Sequence, residues 1–451
     1  MQHHGILALQ GHQGCPSAHH GEGRFGRMFP ELAPAYLDPA LLHALGKPEG
    51  PMADMAPEVS TSVTLGFVFL GQFIDHDITL DVTSSLDRRN EALTTRNFRT
   101  PTLDLDCVYG AGPEASPFLY DGTAAGALKD RVLNIGFEGL DLPRFGGKAL
   151  IGDPRNDENR IVSQLQLAFL KYHNAVVEHI EGSVPEHALF EEARRLVRWH
   201  YQWIVLHDFL PRMIGRELTD DILCFGPKHY QCGSAPSIPV EFSVAAYRFG
   251  HSMVTNRLDL NDVHQDVELF GPETGEGFTP VEDGSQTVKW PLFFDTATPG
   301  VSVQFASALD AKLAPELLEL PFVGAGDERS LATRNLLRGQ SFGLPSGQAI
   351  AEAMGIPTLT PAEVGLDKPM DRCTPLWYYV LKEAEVRASG KHLGALGGRI
   401  VGEVLIGLMQ ADETAMLHEN PGWQPTLPRH LTGDPVGPYT MADFLHFAGV
   451  V

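Results

Sequence analysis

The chain has 451 residues, with 57 Asp and Glu against 34 Lys and Arg, a formal net charge of −23 at pH 7. Such an excess repels the phosphates of nucleic acids and of anionic membranes, so neither is expected as a partner. Length alone suggests two or three domains, but no linker, low-complexity tract or fixed-period repeat divides the sequence. The reading is an N-terminal arm over 1–60 and one domain over 61–451. Five cysteines, at 15, 107, 224, 232 and 373, are too few and too scattered for a disulfide framework; a Cys224–Cys232 bridge is conceivable but not required. No Sec-type signal is visible and no uncharged apolar run approaches the length of a bilayer span, so the expected location is the cytoplasm or the exterior by a non-Sec route.

In chain order, residues 1–60 are rich in Gly, Pro and His. His3, His4, His19 and His20 read as solvated tail residues. Residues 63–80 are apolar on both sides and lack Gly and Pro after Gly71, which predicts a buried helix around Gly71-Gln-Phe-Ile-Asp-His-Asp-Ile78. On it Gln72, Asp75 and His76 share a face, and Asp77 points about 100° away. Residues 82–150 are irregular and polar. Helices are expected over 157–180, 187–214, 240–256, 328–338, 346–354, 376–388 and 394–411, with 286–294 the best short strand. The chain reads as mainly α.

Four groups of residues carry chemistry. His76 is a buried imidazole that needs a partner; taken alone it is more simply a satisfied core histidine. The loop Arg99-Thr-Pro-Thr-Leu-Asp-Leu-Asp106 sets oxygens at Thr100, Thr102, Asp104 and Asp106. Alone it is a solvated loop, but joined to Asp77 it offers the oxygen ligands Ca²⁺ takes, and such a metal would brace the His76 helix. Arg155 and Glu158, three apart before a helix, form either a helix-terminal charge pair or an arginine beside His76 that polarises a bound peroxide while His76 moves its proton. Gly250-His251 permits close approach of a flat ligand, and Arg248 can pair with a carboxylate tail.

Together and in this order, Gly-Gln-x-x-Asp-His-Asp, Thr-x-x-x-Asp-x-x-x-Val-Tyr-Gly, Gly-Asp-x-Arg-x-x-Glu and Arg-x-Gly-His resemble the animal-type haem peroxidases of the peroxidase–cyclooxygenase superfamily, over about 60–350. Phe342-Gly-Leu-Pro after Asn335 and Arg338 matches a later motif, and the overall likeness is to a bacterial-like member. The resemblance implies a mainly α haem peroxidase fold with few short strands, haem b and Ca²⁺ as cofactors, and H₂O₂ with small anionic or phenolic donors as partners. It makes His76 the distal acid–base, Gln72 the amide that orders water or halide, and Arg155 the catalytic arginine. His251 becomes the iron ligand and Arg248 the partner of a haem propionate. Asp75 and Glu158 match the carboxylates that form esters to haem methyl groups. Asp77, Thr100, Thr102 (by its carbonyl), Asp104 and Asp106 match the calcium ligands, the last usually a serine.

Two departures stand out. Asn159 occupies the position where the chloride-oxidising member has a haem-linked methionine, which implies bromide, iodide, thiocyanate or phenols as donors rather than chloride. The family's asparagine partner of the proximal histidine has no counterpart between 262 and 334, leaving Gln304 and Asp310 as stand-ins. The alternatives are a haem fatty-acid dioxygenase on the same fold and a non-catalytic, calcium-stabilised adhesion or structural protein.

Overall fold

The computed structural model describes residues 23–54, 58–86, 88–232, 236–275, 277–324, 326–429 and 438–451. The histidines at 3, 4, 19 and 20 and Cys15 lie outside them. Helices dominate, as the sequence implies. The strands are short: Gly23–Gly26 pairs antiparallel with Arg96–Asn97 and parallel with Ile238–Pro239, and Val59–Thr64 runs antiparallel to Phe305–Ser307. One apolar core extends from Phe25 to Ala448. It takes in Leu42 and Leu45 of the Pro39–Gly46 helix, which Asp38 caps through the Ala40 N–H.

The Gly66–Ile78 helix buries Phe67, Val68, Phe69, Leu70, Phe73, Ile74 and Ile78. Apolar contact all round is what a central helix requires. It begins seven residues before Phe73 because Phe67–Leu70 pack as well as the turns that follow, and Gly71 is carried along. Phe73 stacks on Phe169 at 4.3 Å between centroids, with the rings 7° from parallel, and meets the edge of Tyr201. These contacts seat the helix against Arg160–Ile180 and Leu189–Ile204. Its other side packs on the irregular segment that carries His251.

Several expected elements change form. Arg160–Ile180 starts three residues later than expected, because Pro154–Asp157 is a separate tight turn and the Asn159 carboxamide caps the helix through the Val162 N–H at 2.9 Å. The 187–214 helix is continuous only through a wide π turn at Val205–Phe209, which accommodates Pro211, whose ring would otherwise strike the residue 207 carbonyl. Residues 240–256 form no α-helix; they are a π turn, Glu241–Ala245, followed by a tight 3₁₀ stretch, Ala246–Met253. The 286–294 strand is absent. Tight turns at Gly284–Gln286 and Trp290–Leu292 replace it, and Pro291 has no N–H for a ladder. Leu331–Ser341, Gly347–Met354, Leu376–Ala388 and Ala395–Ala411 follow the expected helices within three residues. Arg216–Phe225 and Met441–Phe447 are helices the apolar pattern did not announce.

Cys107, Cys224, Cys232 and Cys373 are all free thiols, so no Cys224–Cys232 bridge forms. Among the described residues no helix is long and apolar enough to cross a membrane.

Candidate active site

The Gly66–Ile78 helix presents Gln72, Asp75, His76 and Asp77 to different partners. His76 is buried, and its Nδ1 lies 2.7 Å from Asn156 Oδ1. Burial pushes its pKa down to about 3, and the Arg155 charge pushes the same way, so the ring is neutral. Arg155 donates from Nη2 to the His76 carbonyl at 3.2 Å and also to the Thr79 carbonyl. Asp153 holds the guanidinium with two further bonds, Nε to Oδ1 at 3.1 Å and Nη2 to Oδ2 at 2.7 Å. Burial opposes the Asp153 charge, but Arg155, then Arg99, keeps its pKa at about 2. Arg155 and His76 are therefore brought together as the sequence implied. Arg155 makes no ion pair with Glu158 among the described residues; Asp153 takes that place.

Glu158 instead receives the Gln72 amide, and the Gln72 carbonyl accepts from Asn159 Nδ2 at 3.2 Å. Burial raises Glu158 to about 7 against the pull of Arg155, and raises Asp75 against Arg155 and Arg248. That both arginines act on Asp75 places the His76 and His251 sides of the site around one carboxylate. Thr79 Oγ1 donates to Asp75 Oδ1 at 3.0 Å.

His251 is neutral for the same reason as His76: burial, then the Arg248 charge, lowers it to about 3. Its Nδ1 lies 2.9 Å from Asn335 Nδ2, and Asn335 Oδ1 accepts from Arg248 Nη1 at 2.6 Å. Asn335 is thus the side chain hydrogen-bonded to His251. Gln304 and Asp310 are not: Gln304 is bonded to the backbone of Asp259 and Leu292, and Asp310 to the Lys312 N–H. The nearest sequence signal was Asn335 itself, in the motif ending at Phe342. Separated by 84 positions from His251, it is joined to it only by the packing of the Leu331–Ser341 helix.

The fit of a flat anionic cofactor is tested by three observations. Gln72, Asp75, Arg155, Glu158, Arg248 and His251 are only half-buried, yet burial dominates the shifts of Asp75, Glu158, Arg248 and His251, so these groups lie deep in the protein and still keep accessible surface. A Cβ built on Gly250 meets nothing within 4 Å. Arg248, lowered to about 10 by burial, has only the Ser243 carbonyl and Asn335 as hydrogen-bond acceptors among the described residues, a buried cation with room for a carboxylate. The residues fit.

Asp77, Asp104 and Asp106 bring carboxylate oxygens within 4.8 Å of one another. Burial and mutual repulsion raise Asp77 well above its usual range, and Asp106 to about 7 despite Arg99 at 3.2 Å. Asp104 is raised too, by burial and then by Asp412. Such a triad is costly without a cation. Thr100 and Thr102 lie in the same loop: the Thr100 N–H points to Asp106 Oδ2 at 3.4 Å, and the Thr102 N–H donates to the Thr100 carbonyl at 2.8 Å. Cys107, not foreseen here, donates from Sγ to Asp77 Oδ1 at 3.4 Å.

A family model described as animal haem peroxidase matches residues 83–364. Human thyroid peroxidase is 29% identical over 309 residues, covering 59% of this chain and 31% of that protein. Chorion peroxidase of Drosophila melanogaster is 29% identical over 217 residues, covering 46% of this chain and 26% of its own length. The chain thus spans about a third or less of these relatives. Among solved structures, peroxidase A from Dictyostelium discoideum superposes with a TM-score of 0.62 at 15% identity over 88% of each chain. A fatty acid alpha-dioxygenase from Oryza sativa gives 0.60 at 17% identity, over 87% of this chain and 76% of that one. At these identities the two superpositions establish the fold alone.

Proposed function

The chain belongs to the animal haem peroxidase family, and on that premise we propose that it is a haem peroxidase that uses H₂O₂ to oxidise bromide, iodide, thiocyanate or small phenolic donors. One observation carries the reading: Arg155 stands beside neutral His76, and Asp75 on the same helix feels both Arg155 and Arg248, the latter three residues before neutral His251. His251 would ligate the iron through Nε2, Arg248 would pair with a propionate, and Asp75 and Glu158 would form esters to ring methyls, each such bond needing one H₂O₂ as two-electron oxidant, which leaves as water. When bound, the haem supplies the two-electron exchange with peroxide. The residues do the rest. His76 accepts the proton from one peroxide oxygen and returns it to the other, while the Arg155 guanidinium stabilises charge on the leaving oxygen. Gln72, held between Glu158 and Asn159, is positioned to order water or a halide.

Ligation through Nε2 requires the His251 proton on Nδ1 and an acceptor for it. Arg248 occupies that acceptor, Asn335 Oδ1, and the amide nitrogen faces His251; a propionate that takes over Arg248 would free the Asn335 amide to turn its oxygen to His251. Ca²⁺ is the ion we assign to Asp77, Asp104 and Asp106, with Thr100 and the Thr102 carbonyl completing the set and Arg99 on its flank. Hard oxygens without a nitrogen or thiolate donor favour it. A dioxygenase reading shares the fold, but the distal His76–Arg155 pair and the Asp75–Glu158 carboxylates favour peroxide chemistry.

The test is H₂O₂-dependent oxidation of iodide, thiocyanate and a phenol by the haem-loaded protein, beside oxygen uptake with a fatty acid. Donor oxidation that falls by roughly 10²–10⁴ in His76→Gln supports the proposal; fatty-acid-dependent oxygen uptake without donor oxidation replaces it with the dioxygenase.

A further inference from the structure

Two amides without any role so far, Asn156 and Gln166, are both fully buried and join the acidic loop to the distal histidine. Gln166 Nε2 donates to the Cys107 carbonyl at 3.3 Å. Gln166 Oε1 accepts from Asn156 Nδ2 at 2.7 Å, and Asn156 Oδ1 faces His76 Nδ1 at 2.7 Å. The chain of donors has one possible sense. A backbone carbonyl only accepts, so Gln166 turns its NH₂ to Cys107 and its oxygen to Asn156. Asn156 must then donate to that oxygen and present its own oxygen to His76, and a ring nitrogen facing an oxygen must carry hydrogen.

We infer that Asn156 and Gln166 are positioning residues that hold His76 in the Nδ1–H tautomer, making Nε2 the only basic nitrogen of the ring. The inference rests on the proposed role of His76 as acceptor of the peroxide proton, which needs a bare Nε2. The anchor belongs to the acidic loop: Cys107 follows Asp106 and its thiol donates to Asp77. The turn that carries Asn156 and Arg155 abuts the same peptide, since a Cβ on Gly152 would stand 2.5 Å from the Cys107 carbonyl oxygen. The acidic loop thus reaches His76 by two routes, through Asp77 along the helix and through the two amides across it.

The test reads the tautomer directly. The haem protein is labelled with ¹⁵N-histidine and studied by NMR as its diamagnetic ferrous carbon monoxide form, with the His76 signals assigned by their loss in His76→Gln. If the purified chain carries no haem, the same spectrum is taken without carbon monoxide, so the tautomer is read whether or not the peroxidase reading holds. The expected wild-type result is hydrogen on Nδ1. Gln166→Leu leaves Asn156 free to turn over and should bring in an Nε2–H population, with the rate of reaction with H₂O₂ falling by the factor that Nδ1–H loses. Gln166→Glu still offers Asn156 an acceptor and should keep Nδ1–H, whereas amides that merely fill space would suffer at least as much from a buried carboxyl as from leucine. Hydrogen on Nε2 in the wild type overturns the inference, as does Nδ1–H alone in Gln166→Leu. Should that variant fail to fold, the wild-type spectrum still decides. A wild type with Nδ1–H but no reaction with peroxide would instead overturn the peroxidase reading.

Discussion

Arg155 places a positive charge beside His76 while Asp153 and two backbone carbonyls fix where that charge sits. Replacing Arg155 by Ala removes the charge and leaves the proximal side intact. The rate of reaction with H₂O₂ should fall by roughly 10²–10³, the usual loss for a donor aimed at developing negative charge, with haem retained; stopped-flow mixing checks it, and an unchanged rate would remove Arg155 from the chemistry. Asp75→Val combined with Glu158→Gln should make haem extractable by acidified organic solvent, whereas wild type pre-treated with peroxide keeps it. Equal extraction would discard the ester assignment. At this scale the sequence was legible where a motif keeps several functional groups close together, as in Gln72-x-x-Asp75-His76-Asp77 and Arg155-x-x-Glu158. It was silent on Asn156 and Gln166, and it named Asn335 only within a motif, without its partner. Their amides act through pairs of contacts with residues 10 to 87 positions away, and an isolated Asn or Gln carries no spacing signature.

At the scale of elements, the helix carrying His76 also supplies Asp77 to the acidic triad, so the proposed metal and haem sites would share one helix. Chelation that verifiably strips the ion should shift the haem absorbance spectrum and slow the reaction with H₂O₂, both recovering on adding Ca²⁺. A spectrum indifferent to metal removal would uncouple the two sites. Gly152→Ala should destabilise the protein by about 1–3 kcal/mol, the usual range for overpacking, because its Cβ has a backbone carbonyl rather than a flexible side chain in its way; urea unfolding measures it. The longer helices were readable from apolar periodicity, though Arg216–Phe225 and Met441–Phe447 were not. The 240–256 segment was not, because its apolar residues repeat like a helix while its backbone departs from one near His251. Pro291 should have counted against a 286–294 strand, since it has no N–H for a ladder.

Across the molecule, among the described residues, four histidines are held neutral: His76 and His251 at about 3, and His173 and His200 at about 4, each chiefly by burial. Unfolded, each would titrate near 6.5. Between those values each of these histidines binds more protons in the unfolded chain, so their contribution to stability falls as pH drops from about 6.5 toward 3–4. Histidine NMR of the folded protein should therefore show His173 and His200 still neutral at pH 5, and protonated rings there would contradict the assignment. Buried carboxylates such as Glu158, raised to about 7, titrate with the opposite sign and offset this loss in the net stability. The central claim is that the chain holds haem between His76 and His251 and turns over peroxide. Its most direct test is the absorbance spectrum of the purified protein before and after stoichiometric H₂O₂. The account predicts a high-spin ferric Soret band that shifts with peroxide and returns on adding bromide, iodide or thiocyanate. A protein that shows no Soret band even after haem is supplied would contradict it.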